Sequence, residues 1–286
     1  MSAPRTITLL THQYPEQTGD AVHRVIDRAC AAGIEVRLPE EEVRKHRVEE
    51  RDGCVLGADP DGETELCLVL GGDGTILTAL RTFAGRRAPV FGVNYGAIGF
   101  LSTVDHDELD AGLDRALRGE FELLEMPALS IEVAGGGRAL GVNDISFHRR
   151  PHSRVAELEY LVQGEQLGHV RCDGLVASTP VGSTGYNLAN GGPVLAWGVE
   201  GYVVSFIAPH TLTARALVVA PGDTLTVLNT SERDDVEVTT DGRTVTDLEP
   251  RRSIDIDFRD NEVLLAQVAG ASFYHRFRDK FGRLAY

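Results

Sequence analysis

Residues 66–75 read LCLVLGGDGT and decide the fold of the first half of the chain. The apolar run 66–70 is typical of a β-strand that is buried on both faces of a parallel sheet. The GGDG segment after it allows a tight turn, and residues 75–83 continue with helical periodicity. The stretch therefore predicts a strand, a glycine-rich loop and a helix, which together are a unit of an α/β domain.

The same alternation of strands and helices extends along the rest of the first third of the chain. Strands are predicted over residues 6–10, 35–38 and 90–93, and helices over residues 20–32 and around Leu109, Leu113, Ala116 and Leu117. In the first helix Val22, Val25, Ile26 and Ala29 share one face, and Gly33 follows as a stop signal. Residues 39–65 are charged and irregular, so we predict a surface excursion there. Parallel strands in an α/β domain are expected over residues 1–125.

The pattern changes after Met126 to period-two alternation with glycine-rich turns. Strands are predicted at 129–133, 156–163, 175–178, 202–207, 224–228 and 236–239. This predicts a second, all-β domain over residues 126–265. The last stretch carries Phe273, Tyr274, Phe277 and Phe281 at roughly helical spacing, and we expect residues 266–286 to dock back on the first domain.

Composition excludes several classes of protein. The chain has 286 residues, enough for one large domain or two ordinary ones, and its formal charge of −15 disfavours nucleic acid or anionic lipid as a partner. No basic segment followed by an apolar one opens the chain, and no apolar run approaches the roughly 20 residues that span a bilayer. We expect a soluble cytoplasmic protein that has no membrane partner.

Cysteine and lysine usage adds two expectations. Cys30, Cys54, Cys67 and Cys172 are irregularly spaced and form no metal-binding pattern, so they are predicted to be buried free thiols in a reducing compartment. No protein-bound metal site is predicted. The lysines are Lys45 and Lys280 alone, and this scarcity fits either a GC-rich genome or a salt-adapted proteome.

Asp73 is the informative residue of the glycine-rich loop. A strand, a glycine turn and a helix start form a phosphate-binding geometry, because backbone N–H groups and the helix dipole favour anions. A carboxylate there repels phosphate unless it binds a metal ion, accepts a proton or accepts a hydrogen bond from a hydroxyl group. The alternative is a helix N-cap or turn aspartate. No lysine followed by Ser or Thr closes the glycine run, so the loop is not a Walker A motif.

Two further clusters combine polar side chains with flexible backbone. Residues 173–193 hold an Asp-Gly pair, the run TPVGSTGYN and the run GGP, which suit a ribose, an amide or an adenine. The alternative for this cluster is a system of glycine-rich turns. Asn143 and Asp144 could bind an adenine and a ribose diol, although a β-turn is the better interpretation of this dipeptide taken alone.

These motifs resemble, in order along most of the chain, those of the NAD kinases, enzymes that phosphorylate the 2′-hydroxyl of NAD with ATP or polyphosphate. The segments that match are GGDGT at 71–75, NYGAIGFL at 94–101, Asn143-Asp144, Asp173-Gly174, TPVGSTGY at 179–186, GGP at 191–193 and PHTLTAR at 209–215. The GGDG loop alone also occurs in lipid kinases and phosphofructokinase relatives, whereas the ordered set is specific.

The resemblance implies an N-terminal Rossmann-like domain, a C-terminal β-sandwich, a site in the crevice between them and a homodimer or homotetramer. It implies that NAD and ATP are the substrates, with a divalent metal, Mg²⁺, carried on ATP. Asp73 would be the catalytic proton acceptor toward the 2′-hydroxyl. The other residues that would contact the dinucleotide are Gly74, Asn143, Asp144, Arg154, Arg171, Asp173, Thr184, Gly185, Tyr186, Asn187, Leu188, Ala189, Ala208 and Arg243.

Three positions depart from the family pattern. Asp144 replaces the usual Glu, Gly185 replaces the usual Ala, and Arg243 stands where relatives often carry Gln. None of these removes a group that the chemistry requires. The alternative functions are a lipid or sugar kinase with a GGDG loop, and a non-catalytic module that senses dinucleotides. For the kinase we expect a positive patch for phosphates, formed by Mg²⁺ on the triphosphate, the N–H groups of the glycine-rich loop and one or more of Arg149, Arg150, Arg154 and Arg171. The alternative for this basic run is a solvated loop.

Overall fold

A computed structural model describes residues 2–96, 99–133 and 135–282. The elements of the first part are β1 (Thr6–Thr11), α1 (Pro15–Ala31), β2 (Glu35–Pro39), α2 (Glu40–His46), β3 (Cys54–Ala58), β4 (Leu66–Gly71), α3 (Asp73–Thr82), β5 (Val90–Asn94), β6 (Val104–Asp105), a 3-10 turn at His106–Glu108 and α4 (Leu109–Arg118).

The elements of the remainder are mostly strands. They are β7 (Glu122–Val133), β8 (Gly137–Gly141), β9 (Asp144–Arg149), β10 (Ala156–Val162), β11 (Glu165–Cys172), β12 (Gly174–Ser178), a 3-10 turn at Gly182–Thr184, α5 (Tyr186–Ala189), β13 (Tyr202–Ile207), β14 (Leu217–Val219), β15 (Leu225–Asn229), β16 (Val236–Thr240), β17 (Arg243–Leu248), β18 (Ser253–Gln267) and α6 (Phe273–Phe281).

The chain divides into two compact units. The first contains residues 1–125 and 263–286, and the second contains residues 126–262. The division after residue 262 falls inside β18, so one long strand contributes its two ends to different units. The described part of the C-terminal segment belongs to the first unit.

The first unit is an α/β fold around a parallel sheet. Its strand order is β3-β2-β1-β4-β5, and the C-terminal end of β18 pairs with β5 in parallel. β4 is central, which explains its uninterrupted apolar sequence: all six of its residues are buried. The chain runs outward from β1 in one direction and from β4 in the other. The carboxyl ends of β1 and β4 therefore flank a topological switch point, where ligands bind in open α/β sheets.

The helices of this unit follow the expected pattern with one correction. Pro15 opens α1 five residues before the predicted start, a position that its fixed φ angle favours. Residues 39–65 were wrongly predicted to be irregular, since they contain α2 and β3. Three glutamates in the first turn of α2 and three basic residues in its last turn oppose the helix dipole, so a charged sequence is stable as a helix.

The second unit is built from antiparallel strands in two layers. One sheet has the order β14-β13-β12-β9-β16-β17, and the other layer contains β11-β10-β15-β18 in order, with β7 and β8 paired beside them. Their inner faces share one core that contains Phe147, Leu158, Leu175, Tyr202 and Val227. The prediction of an α/β domain followed by an all-β sandwich is confirmed.

The four cysteines are free thiols, but they are not all buried as predicted. Cys67 and Cys172 are buried, whereas Cys30 and Cys54 are half-buried and their sulfur atoms lie 4.0 Å apart. Burial, together with the neighbouring Cys30, raises the pKa of Cys54 to about 11. The Cys54 thiol is therefore protonated at neutral pH. Among the described residues, no helix is both long and apolar enough to cross a bilayer.

The central position of β4 gives a stability prediction. Leu68 is fully buried in the core of the first unit, whereas Leu212 is 92% exposed in the second. We expect Leu68→Ala to lower the free energy of unfolding by about 2–5 kcal/mol, because it loses apolar burial and leaves a cavity. The matched change Leu212→Ala should cost less than about 0.5 kcal/mol. Urea denaturation measures both, and equal losses in the two variants would contradict the central placement of β4.

Candidate active site

The GGDG segment forms the junction between β4 and α3 in the first unit. Gly71 ends the strand, Gly72 is the N-cap of the helix, and Asp73 is the first helical residue. A β-carbon on Gly71 would lie 2.6 Å from Oγ1 of Thr75, so the strand can turn this tightly into the helix only with glycine there. The junction lies at the carboxyl end of β4, beside the switch point of the sheet.

The Asp73 carboxylate is held by the backbone of a different segment. Its Oδ2 accepts the N–H of Phe100 at 2.8 Å, and its Oδ1 accepts the N–H of Leu101 at 3.0 Å. A β-carbon on Gly99 would overlap this carboxylate, which explains the glycine at that position. Because Gly72 is the N-cap and the Asp73 side chain bonds elsewhere, the N-cap alternative for Asp73 is not what the fold uses.

The segment that begins at Asn94 carries these donors. The Asn94 amide donates to Oδ1 of Asp105 at 3.0 Å and accepts the N–H of Gly96 at 3.0 Å, so the end of β5 is pinned. Ala97 and Ile98 of the NYGAIGFL motif lie outside the described residues. Gly74 is exposed on the first turn of α3, where helical N–H groups have no partner within the helix.

In the second unit a tight turn positions Asn143 and Asp144. β16 and β17 are joined by Asp241 and Gly242, which have φ values of +47° and +75°, the geometry of a type I′ hairpin. The Asp241 carboxylate accepts three backbone N–H groups, from Val142 at 3.1 Å, Asn143 at 2.7 Å and Asp144 at 3.1 Å. Sequence reasoning did not include Asp241 among the site residues, although its Asp-Gly pair signals this turn.

Asp144 begins β9 in an unusual electrostatic environment. Its side chain is nearly covered, with 7% exposure for the residue. Burial, followed by the negative charge of Asp241, raises the pKa of Asp144 to about 7. At neutral pH this carboxyl group is therefore partly protonated and can both donate and accept hydrogen bonds.

Tyr186 lies close to the carboxyl groups of Asp144 and Asp173. Its ring stacks on that of His148, with centroids 5.7 Å apart and an angle of 13° between the planes. Burial, Asp144 and Asp173 all raise the pKa of Tyr186, so its hydroxyl is a neutral donor at physiological pH. His148 was not predicted as a site residue. Burial lowers its pKa and favours a neutral ring, and one ring nitrogen lies 2.9 Å from Oγ of Ser146.

The TPVGSTGYN run forms a compact turn from residue 179 to residue 187. A β-carbon on Gly182 would overlap the Asn143 carbonyl, so this turn packs directly on the 142–144 segment. Asn187 is fully buried, and its amide donates to the carbonyls of Ser183 at 3.0 Å and Pro193 at 2.9 Å. The buried Asn187 side chain therefore stabilises this turn by linking Ser183 to Pro193.

The other predicted residues of this run face outward to different degrees. Gly185, Tyr186 and Ala189 are exposed, and Thr184 and Leu188 are half-buried. Ala208, in the left-handed region with φ of +43°, and Arg243, at the start of β17, are also exposed. Tyr186 interacts electrostatically with Asp144 and Asp173, and Asn143 is the neighbour of Asp144 in the chain. The fold therefore brings these four residues together in the second unit.

The arginines that were expected to form a phosphate-binding patch are mostly paired with carboxylates. Arg149 donates to Asp173 at 2.7 Å, and Arg171 approaches Glu157 at 3.2 Å. Arg150 pairs with Asp247 and Glu237. Arg154 is exposed on the loop before β10. Within residues 2–96, 99–133 and 135–282, no group of three or more His, Cys, Asp or Glu side chains could hold a metal ion.

Comparison with protein families matches both halves of the chain. The sequence model described as ATP-NAD kinase N-terminal domain matches residues 9–121, and the one described as ATP-NAD kinase C-terminal domain matches residues 142–268. The NAD kinase of Gemmatimonas aurantiaca is 34% identical over 227 residues, which are 78% of each chain. The NAD kinase of Geotalea daltonii is 33% identical over 222 residues, covering 76% of this chain and 78% of that one.

Two solved structures have the same fold. A yeast NADH kinase complexed with NADH superposes with a TM-score of 0.89 at 19% identity, covering 100% of this chain and 90% of that one. An NAD kinase from Archaeoglobus fulgidus in complex with ATP superposes with a TM-score of 0.72 at 24% identity, covering 98% of both chains.

The environment of Asp144 gives a prediction about pH. Because its folded pKa of about 7 lies above the ordinary value near 3.9, the protonated group contributes stability below pH 4. That contribution is lost as pH rises from about 4 through 7. Asp144→Asn removes the ionisation, so its stability relative to the original chain should rise between pH 5 and pH 8. Chemical denaturation at these two pH values measures the difference, and a pH-independent difference would contradict the assigned environment.

Proposed function

The chain belongs to the NAD kinase family, and from that premise we propose that it transfers the terminal phosphoryl group of ATP to the 2′-hydroxyl of the adenosine ribose of NAD, producing NADP. The observation that carries the proposal is the Asp73 carboxylate, which two peptide N–H groups hold at the start of α3. This family membership also disfavours the lipid or sugar kinase alternative.

Asp73 is proposed to accept the proton of the 2′-hydroxyl. A carboxylate is a much weaker base than the alkoxide that would form, so proton transfer is expected late in the reaction. Alignment of the hydroxyl oxygen toward the phosphorus atom then contributes much of the effect. The two hydrogen bonds from the backbone support this role, because they fix the direction of the carboxylate.

The start of α3 is proposed to lie beside the phosphoryl groups. Phosphoryl transfer spreads negative charge over the equatorial oxygens, so catalysis depends on positioning and neutralisation of charge. The first N–H groups of the helix, at Asp73 and Gly74, supply partial positive charge there. Mg²⁺ is proposed to arrive with the triphosphate as part of the substrate and to neutralise charge on it.

The second unit is proposed to bind the dinucleotide. Asn143, Asp144, Asp173 and Tyr186 offer amide, carboxyl and phenol groups that match the polar edges of adenine and ribose. The exposed backbone at Thr184, Gly185, Leu188 and Ala189 is proposed to line the same pocket, with Asn187 holding its shape from inside. Peripheral contacts to the dinucleotide are proposed for Arg154, Arg171, Ala208 and Arg243. Of these residues, Arg154 and Arg171 are the ones proposed to face its phosphate oxygens.

We also propose a reducing compartment and a homo-oligomer for this chain. The four free thiols support a reducing compartment such as the cytoplasm. β14 lies at one edge of the six-stranded sheet and exposes Val218 by 48%, which supports a homo-oligomer because exposed apolar edge strands favour pairing with another chain. Light scattering on the purified chain tests this, and a monomeric mass would contradict it.

The activity is tested by incubating the purified chain with MgATP and NAD⁺ and detecting NADP⁺ with an NADP-specific dehydrogenase. Parallel reactions use polyphosphate as donor, and low or molar KCl. NADP⁺ in any reaction supports the kinase and identifies its donor and salt range. If no reaction yields NADP⁺ while calorimetry shows NAD⁺ binding to the folded chain, the protein is the dinucleotide sensor and the kinase proposal fails.

Replacement of Asp73 tests its role. We expect Asp73→Asn to lower kcat by at least about 10²-fold, the scale of a general-base contribution, while NAD⁺ binding stays within about tenfold. The matched control is Asp107→Asn, which changes an exposed aspartate in the 3-10 turn before α4 and should leave kcat within about twofold. Turnover of Asp73→Asn equal to that of the original chain would remove Asp73 from the catalytic role.

A further inference from the structure

The last helix of the chain packs against the residue whose backbone holds Asp73. Phe100 is 4% exposed, and its ring is flanked by two rings of α6: the centroid of Phe273 lies 6.2 Å away and that of Phe281 5.9 Å away. The ammonium of Lys280 lies 4.7 Å from the centroid of the Phe100 ring. Three residues of α6 thus surround one side chain of the 99–101 segment.

Phe100 connects α6 to the catalytic loop. Its side chain faces α6, while its N–H group and that of Leu101 donate to the Asp73 carboxylate. Gly99 has no side chain of its own to fix the backbone there, and a β-carbon would overlap Asp73. The packing of the Phe100 ring is therefore a restraint on where the two peptide donors lie, and through them on the direction of the carboxylate.

α6 also brings a positive charge, the guanidinium of Arg276, near Asp73. Burial lowers the pKa of Arg276, and the negative charges of Asp73 and Asp105 counteract that effect, so the guanidinium is within electrostatic reach of the catalytic carboxylate. Arg276 also donates to the Gln267 side chain at the end of β18, which anchors α6 to the sheet. The helix thus presents both a ring contact and a positive charge to the Asp73 region.

We propose that α6 is a positioning element for catalysis, in which Phe281 and Phe273 fix Phe100 so that its peptide and the next one orient Asp73. The proposal rests on the catalytic role proposed for Asp73. Phe281 is the residue to test, because it is half-buried and Phe273 is the buried residue of α6. Loss of the Phe281 ring removes a contact to Phe100 and leaves the buried anchor of the helix in place.

The experiment compares Phe281→Ala, Phe281→Tyr and Tyr274→Ala. Tyr274 is the matched control, since it is an aromatic residue of the same helix with 71% exposure. We expect Phe281→Ala to lower kcat about tenfold or more with KM for NAD⁺ changed less than about twofold, because misplaced catalytic groups affect turnover more than ground-state binding. Phe281→Tyr keeps the aromatic ring, so its kcat should equal that of the original chain. Tyr274→Ala should also have the kcat of the original chain.

Hydrogen exchange gives a readout that does not depend on activity. Peptides that cover residues 99–101 should exchange faster in Phe281→Ala than in the original chain, whereas peptides from β4 should not change. If Phe281→Ala does not fold, Phe281→Leu replaces it, since leucine retains apolar contact without the ring. An unchanged kcat in Phe281→Ala would overturn the positioning role of α6, whether or not KM rises, and unchanged exchange at 99–101 would overturn the restraint on the Phe100 peptide.

The outcomes separate this proposal from the one on which it rests. If the original chain forms NADP⁺ and Asp73→Asn does not, but Phe281→Ala retains full turnover, the positioning role of α6 fails and the proposed function stands. If the original chain forms no NADP⁺, the proposed function fails. Faster exchange at 99–101 in Phe281→Ala would then still establish the physical restraint, and unchanged exchange would overturn it.

Discussion

The first unit depends on a carboxylate that must lie against a peptide backbone. Asp73 follows the buried strand β4 directly, and its two oxygen atoms are satisfied by consecutive N–H groups from a loop about 27 residues further along the chain. This arrangement requires glycine where the strand turns, at Gly71, and where the loop passes the carboxylate, at Gly99. The parallel sheet brings both segments to one edge, because Gly71 and Asn94 are paired at the ends of β4 and β5.

The second unit also contains a carboxylate that accepts hydrogen bonds from backbone N–H groups. Asp241 also has its carboxylate bound by backbone N–H groups, and it shapes the 142–144 segment. Asp144 differs, because burial and the charge of Asp241 make its ionisation unfavourable. In a chain of net charge −15, backbone N–H groups orient the carboxylates of Asp73 and Asp241. The side chains of Arg149, Arg150 and Arg171 pair with acidic neighbours instead. The direction of these two carboxylates is therefore fixed by hydrogen bonds from peptide groups and not by ion pairs with the three arginines.

Much of the fold could be predicted from local pattern alone. The run 66–70 indicated a central strand because burial on both faces leaves no polar alternation. β1, β2 and β5 were predicted from short apolar or β-branched runs. α2 was missed because its helical signal is charge order rather than apolar periodicity, and β3 because it lies at the edge of the sheet, half-buried. Gly-Gly-Asp-Gly located Asp73, but its hydrogen bonds to residues 100 and 101 depend on tertiary structure. His148 and Asp241 were missed for that reason, since their importance arises from contacts with residues distant in sequence.

The most direct measurement of the central claim is the chemical identity of the product. Incubation of the chain with MgATP and NAD⁺ should produce, in the ³¹P NMR spectrum, a new phosphomonoester resonance that coincides with the 2′-phosphate of added NADP⁺, with one ADP formed for each product. A phosphomonoester on another hydroxyl group, or ADP that accumulates while NAD⁺ stays unmodified, would contradict the assignment of Asp73 and its loop to phosphorylation of the 2′-hydroxyl.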